Sequence, residues 1–211
     1  MAIELIVLAA DKTMRFTLEA LLARPQSLGV RAIKAIVQHH PRNDPGILGE
    51  GHAFIRELHV AASHALIVFD RVGCGSDLSR ERLEEEVKTR LVQSGWDEDA
   101  CAAIVIDPLL EAWFWSDSPH VLNALRWTRG RAELVEWLTR EGFLHPGLQK
   151  PEQPKEAVEK LLRLSRTPYS SSIFRELAEQ VSFQRCNDPA FLKLKQVLRQ
   201  WFPPEVSSEE A

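Results

Sequence analysis

Carboxylates recur at one kind of place in this chain. Asp11 stands two residues after the apolar run ELIVLA, Asp70 directly follows ALIVF, and Asp107 directly follows AAIVI. Runs of this kind, rich in β-branched residues and with little polar alternation, read as strands buried on both faces of a parallel sheet. Open parallel sheets place their sites in the crevice beyond the carboxyl ends of the strands, so three acids there can converge. Glu111 follows Asp107 by four residues in the segment DPLLEAWFWSD. On a helix, positions 107 and 111 share a face and turn Glu111 toward the same edge. Carboxylate oxygens are what hard divalent cations such as Mg²⁺ take, and a cation so held can be set against a phosphate. Asp70 and Glu111 are the candidate catalytic ligands, and Asp11, Asp70, Asp107 and Glu111 the candidate metal set.

Two of these acids also have a plainer reading. Asp107 before Pro108 has the form of a helix cap followed by proline at the first helical position, and Asp11 suits the cap of a helix beginning near Lys12. No helix begins close enough after Asp70 to need its side chain. Glu111, set among Trp113 and Trp115, needs a cation or metal as partner if it is buried. The glycines of RVGCGSD match neither a Walker nor a dinucleotide-binding pattern, and no histidine is placed beside Cys74 to activate it. His39, His40 and His52 read as exposed loop histidines. Lys12, Arg15, Arg56 and Arg71 are the cations near the same edge that suit a phosphate.

The elements that must position these groups alternate over the first 107 residues. Strands are expected at 3–9, 30–37, 65–69 and 102–106, with helices after the first strand, at 53–59 and at 78–91, where Leu83, Val87 and Leu91 recur four apart. PRNDPGILGEG, rich in Pro and Gly, reads as a loop. The pattern implies an α/β domain, a mostly parallel sheet flanked by helices, over residues 1–117. Beyond it RAELVEWLTREG, PKEAVEKLLRL, SSIFRELAEQV and PAFLKLKQVLRQW are all helical in character, so 118–202 is expected to be a helical extension or cap packed on the core, and 203–211 a tail.

A net charge of −4 exerts no global pull on nucleic acid or anionic lipid. Three cysteines without CxxC spacing suggest neither a disulfide framework nor a thiolate zinc site, which fits a reducing cytoplasm. The apolar N-terminal run is too short to span a bilayer, and no membrane association is expected.

LAADKTMRFTLEALL, ALIVFDRVGCGSD, IDPLLEAWFWSD and FQRCNDPAFLKLKQVL together resemble a Toprim-like family of unknown function, small prokaryotic proteins that often accompany phage-defence or mobile-element systems. The resemblance implies a Toprim-like (Rossmann-like) fold and a Mg²⁺ site of the kind used in phosphodiester chemistry. The family's motifs are a Glu-Gly pair after the first strand, an Asp-x-Asp after the central one and a Pro-x-x-Glu-Ala-Trp segment. Here the Glu position falls near Ala10 with Asp11 beside it. The first Asp matches Asp70, the second falls on Val72, and Pro108, Glu111, Ala112 and Trp113 match the third segment. With the acidic set thus incomplete, the resemblance implies first a non-catalytic or weakly catalytic component of an antiviral defence system, acting through its other protein subunits. The alternative is a Mg²⁺-dependent nuclease. Nucleic acid and a second copy of the chain are the other partners this reading admits.

Overall fold

The computed structural model describes residues 2–116, 118–182 and 186–205. Asp117, the Phe183–Arg185 start of FQRCNDPAFLKLKQVL, and positions 206–211 of the expected tail lie outside the described residues. Four strands, β1 (Ile3–Ala9), β2 (Ala35–His39), β3 (Ala62–Asp70) and β4 (Cys101–Ile106), form an all-parallel sheet in the order β2-β1-β3-β4. The central strands carry almost nothing but apolar side chains because helices cover both faces: Leu5 to Ala9, Ala65 to Phe69 and all of β4 are buried.

The chain leaves β1 toward β2 on one side and returns to β3 on the other, so the strand order reverses between β1 and β3. Right-handed crossovers then place α1 (Lys12–Leu22) and the short α2 (Pro25–Leu28) on one face, and α3 (Asn43–Phe54) and α4 (Arg80–Gln93) on the other. In the register Ala9 pairs with both His39 and Val68, and Asp70 pairs with Ile106. Two further residues along β1 bring Asp11 level with Asp70 at the reversal, where an open α/β sheet has its crevice.

The second half continues through α5 (Pro119–Ala124), α6 (Arg131–Arg140), α7 (Pro154–Leu164), α8 (Ser171–Gln180) and α9 (Pro189–Trp201). The four helices expected there all form. They share the sheet's own core: α8 packs on α1, α9 packs on β4 and reaches α2, and one buried apolar cluster runs from Leu5 to Phe202. The outer edge of β4 is closed by a charge. Glu84 of α4, 4% exposed, accepts the Val105 N–H at 3.0 Å and pairs with Lys193 of α9 at 2.9 Å.

Three local expectations fail. PRNDPGILGEG is not a loop: Asn43–Phe54 is helical, with Asp44 in the first turn and Pro45 where the missing N–H is not needed. Two of its glycines lie against neighbours: a Cβ on Gly46 would overlap the His40 ring, and one on Gly51 would sit 3.5 Å from Leu8 and Ile67. Asp107 caps no helix. The Asp107–Pro108 peptide is cis, and the chain re-enters helical geometry only as a 3-10 turn, Leu110–Phe114, behind Leu109. The second strand also starts later than expected, at Ala35. Among the described residues no helix is long and apolar enough to cross a membrane.

Candidate functional site

Asp70 ends β3 at the strand-order reversal. The residue is half-buried, but its Oδ1 is sealed from water and has no hydrogen-bond partner. Burial holds its carboxyl well above the usual range. Asp44, Glu111 and Asp11 push it further up by charge, against a weaker pull from the Leu110 N–H. Four carboxylates therefore feel one another here, and one of them, Asp44, stands in the stretch read as loop.

Each acid is held by a different device. Asp44, in the first turn of α3, accepts the Asp70 backbone N–H through Oδ1 at 2.8 Å, which ties the helix to the end of β3. Burial raises its carboxyl and Asp11 adds to this, while the Asp70 N–H and the Lys155 charge act the other way. Glu111, 4% exposed on the 3-10 turn, accepts the Tyr169 hydroxyl through Oε1 at 2.6 Å. Burial pushes Glu111 up as well, opposed by Tyr169 and by Lys155. Asp11 caps α1, accepting the Met14 N–H at 2.8 Å.

The helical half completes this site. Tyr169 lies two residues before α8, Lys155 lies in the first turn of α7, and the Ser171 hydroxyl meets that of Thr13 at 3.0 Å beside the start of α1. Asp44, Tyr169 and Lys155 were missed from the sequence. For Asp44 a signal existed, because Asn-Asp-Pro is a helix-start pattern. Tyr169 and Lys155 reach the site only through tertiary packing and have no local signature.

The remaining candidates take other partners. Asp107, 43% exposed, forms an ion pair with Arg71 at 2.8 Å whose N–H is poorly aligned for a hydrogen bond. Arg15 pairs with Glu19 at 2.8 Å, and Lys12 lies 5.6 Å from the Phe16 ring centre. Arg56 opens a 3-10 turn, where its carbonyl meets His59 Nδ1. Of the supposed loop histidines, His40 is buried at the end of β2 against Phe54, with Nδ1 accepting the Arg42 N–H, and His52 lies within α3. Cys74 is buried too.

Among the described residues no three His, Cys, Asp or Glu side chains form a group ready to hold a metal ion. The charge of Asp11 thus reaches Asp44, Asp70 and Glu111 and raises their proton affinity, yet the acids are not gathered on one point. Such a cluster has two ways to relieve its repulsion: to keep protons, or to exchange them for a cation. The sealed, unpartnered Asp70 Oδ1 is an oxygen that a hard cation would satisfy, so the donor set fits one.

Fold and site together define a class: a doubly wound, all-parallel α/β protein with an acidic cluster at its strand-order reversal, roofed by C-terminal helices. Compared with protein-family models, curated proteins and solved structures, the chain matches none.

Proposed function

We propose that this is a Toprim-like protein whose acid cluster takes up Mg²⁺ and acts on phosphodiester bonds in nucleic acid. The observation that carries this reading is Asp70 Oδ1, buried without a partner among Asp44, Glu111 and Asp11. Asp44 also changes the count that had favoured a non-catalytic role: acids absent at Ala10 and Val72 are made up in part by an acid from α3. When bound, Mg²⁺ would polarise a phosphoryl oxygen and lower the pKa of a coordinated water.

The chain's own residues have separable tasks in this reading. Asp70 and Glu111 are the oxygen donors, with Asp11 and Asp44 completing the negative charge. Tyr169 fixes the orientation of Glu111, and Asp44 fixes the end of β3 through the Asp70 N–H. Lys155 is the cation whose charge reaches both Asp44 and Glu111, and it suits the neutralisation of a phosphate.

A partner-dependent role in an antiviral defence system is the second reading, favoured by the absence among the described residues of a ready metal-holding group. Labelled single- and double-stranded DNA and RNA incubated with the protein, with and without Mg²⁺ or Mn²⁺, separate the two. Metal-dependent cleavage lost in both Asp70→Asn and Glu111→Gln is the expected result. Absence of cleavage of every substrate in either metal would return the protein to the partner-dependent reading.

A further inference from the structure

Tyr169, the only tyrosine of the chain, meets the acid cluster with one end alone. Its hydroxyl is given to Glu111 Oε1 at 2.6 Å, while the ring takes no part in holding the acids. Phe174 packs against one side of that ring, with centres 5.1 Å apart and planes at 60°, and is itself 1% exposed. Tyr169 is 38% exposed, so the side of the ring turned away from Phe174 faces solvent beside the crevice. Trp113, Phe114 and Trp115, on and just after the 3-10 turn, are by contrast buried in the core. A ring held at its hydroxyl and on one side loses little freedom when a flat group stacks on its open side.

The charge of the crevice says which flat group suits it. The chain carries a net charge of −4, and of the cations expected at this edge Arg15 and Arg71 already face Glu19 and Asp107. Duplex nucleic acid presents mainly its phosphates, and proteins that hold it without regard to sequence do so by neutralising them. The clustered acids repel phosphate until a cation is bound. Affinity at this edge therefore needs a contact other than phosphate, and the stacking of a base on an aromatic ring is a contact that any nucleic-acid sequence can make. In a duplex the faces of the bases are covered by their neighbours. In a single strand a base can turn out onto the ring.

We infer that Tyr169 sets the strand form of the substrate: its open ring face stacks an unpaired base of a single-stranded nucleic acid whose adjoining phosphate lies over the acid cluster. The inference rests on the phosphodiester-cleaving reading proposed above and adds to it the class of substrate. One side chain then has two separable tasks, the hydroxyl orienting Glu111 and the ring holding a base.

Fluorescence anisotropy on the full chain with divalent metal chelated tests it with three labelled probes: a single-stranded oligodeoxyadenylate, an abasic strand of the same length and backbone charge, and the duplex with oligothymidylate. Repulsion by the acids acts equally on the first two, so their difference reports the bases. The single strand binds about tenfold more tightly than either the abasic strand or the duplex. Tyr169→Phe keeps that preference because the ring remains, and Tyr169→Leu removes it. A single 3-fluorotyrosine, incorporated at Tyr169 in the otherwise unaltered chain, gives one fluorine resonance that moves with the single strand and not with the abasic one, which covers a failure of Tyr169→Leu to fold. Equal binding of the base-bearing and abasic strands, a preference for the duplex, or a preference that survives Tyr169→Leu would overturn the inference. Metal-dependent cleavage observed alongside any of these would leave the nuclease reading standing. Base-dependent binding without cleavage in Mg²⁺ or Mn²⁺ would support the stacking and overturn that reading. No binding of any probe at about millimolar concentration would overturn the inference as well.

Discussion

Replacing Tyr169 by Phe removes one hydroxyl and leaves the ring on Phe174, whose centre lies 5.1 Å from its own. What is lost is the 2.6 Å hydrogen bond to Glu111 Oε1, on a carboxylate 4% exposed. A hydrogen bond to an ionised group contributes about 1.5–3 kcal/mol, and the tyrosine, 38% exposed, lets water replace part of it. The expected loss is about 1–2 kcal/mol near neutral pH, or about 3–6 °C in Tm for a chain of this length. The pH dependence identifies the cause. Burial sets the Glu111 pKa above its unfolded value, so ionisation of Glu111 weakens the fold as pH rises through that range, and Tyr169 moderates this. The loss on Tyr169→Phe is therefore full above the folded pKa and smaller at about pH 4, where protonated Glu111 accepts only a neutral hydrogen bond. Urea unfolding of both proteins at the two pH values measures it. An equal loss at both, or none at either, would refute the assignment of Tyr169 as the group that holds the Glu111 charge.

Two other perturbations report on neighbouring parts of the site. Asp70→Asn removes a carboxyl whose folded pKa lies well above its unfolded one, so the variant is more stable than the parent near neutral pH, and the gain vanishes by about pH 4; a stability difference independent of pH in urea unfolding would contradict this. Gly46→Ala drives a methyl group into the His40 ring and to 2.7 Å from Arg42 Cβ, against a histidine 1% exposed. It is expected to lower stability by about 1–3 kcal/mol in thermal melts, and a neutral outcome would mean that α3 and the end of β2 are not packed as described.

Much of the architecture was legible because it is written in local pattern. β4 is an unbroken apolar run and β1 and β3 each contain one, Leu5–Ala9 and Ala65–Phe69, as strands covered on both faces must, and α4 announces itself through Leu83, Val87 and Leu91. The helix over Asn43–Phe54 was not legible, since Gly46 and Gly51 look like turn residues until His40 is seen against the first and the sheet against the second. That misreading hid Asp44. Asp70, Glu111 and Asp11 were legible as strand-end and motif acids, and the structure brings them within electrostatic reach of one another. Asp107 had the same sequence credentials and pairs instead with Arg71, because the chain turns at the cis Asp107–Pro108 peptide rather than starting a helix there. Tyr169 and Lys155 could not have been found locally, because only the packing of α7 and α8 over the sheet edge brings them to Glu111.

In the proposed function the acid cluster exchanges a proton for a divalent cation. Mg²⁺ titrated into the parent and into Asp70→Asn near neutral pH, with calorimetry repeated in buffers of different ionisation enthalpy, measures both halves of that exchange at once. Saturable binding to the parent with net proton release, and neither in the variant, is the expected result. Binding undiminished in Asp70→Asn, or the absence of any binding heat at roughly millimolar Mg²⁺, would contradict it.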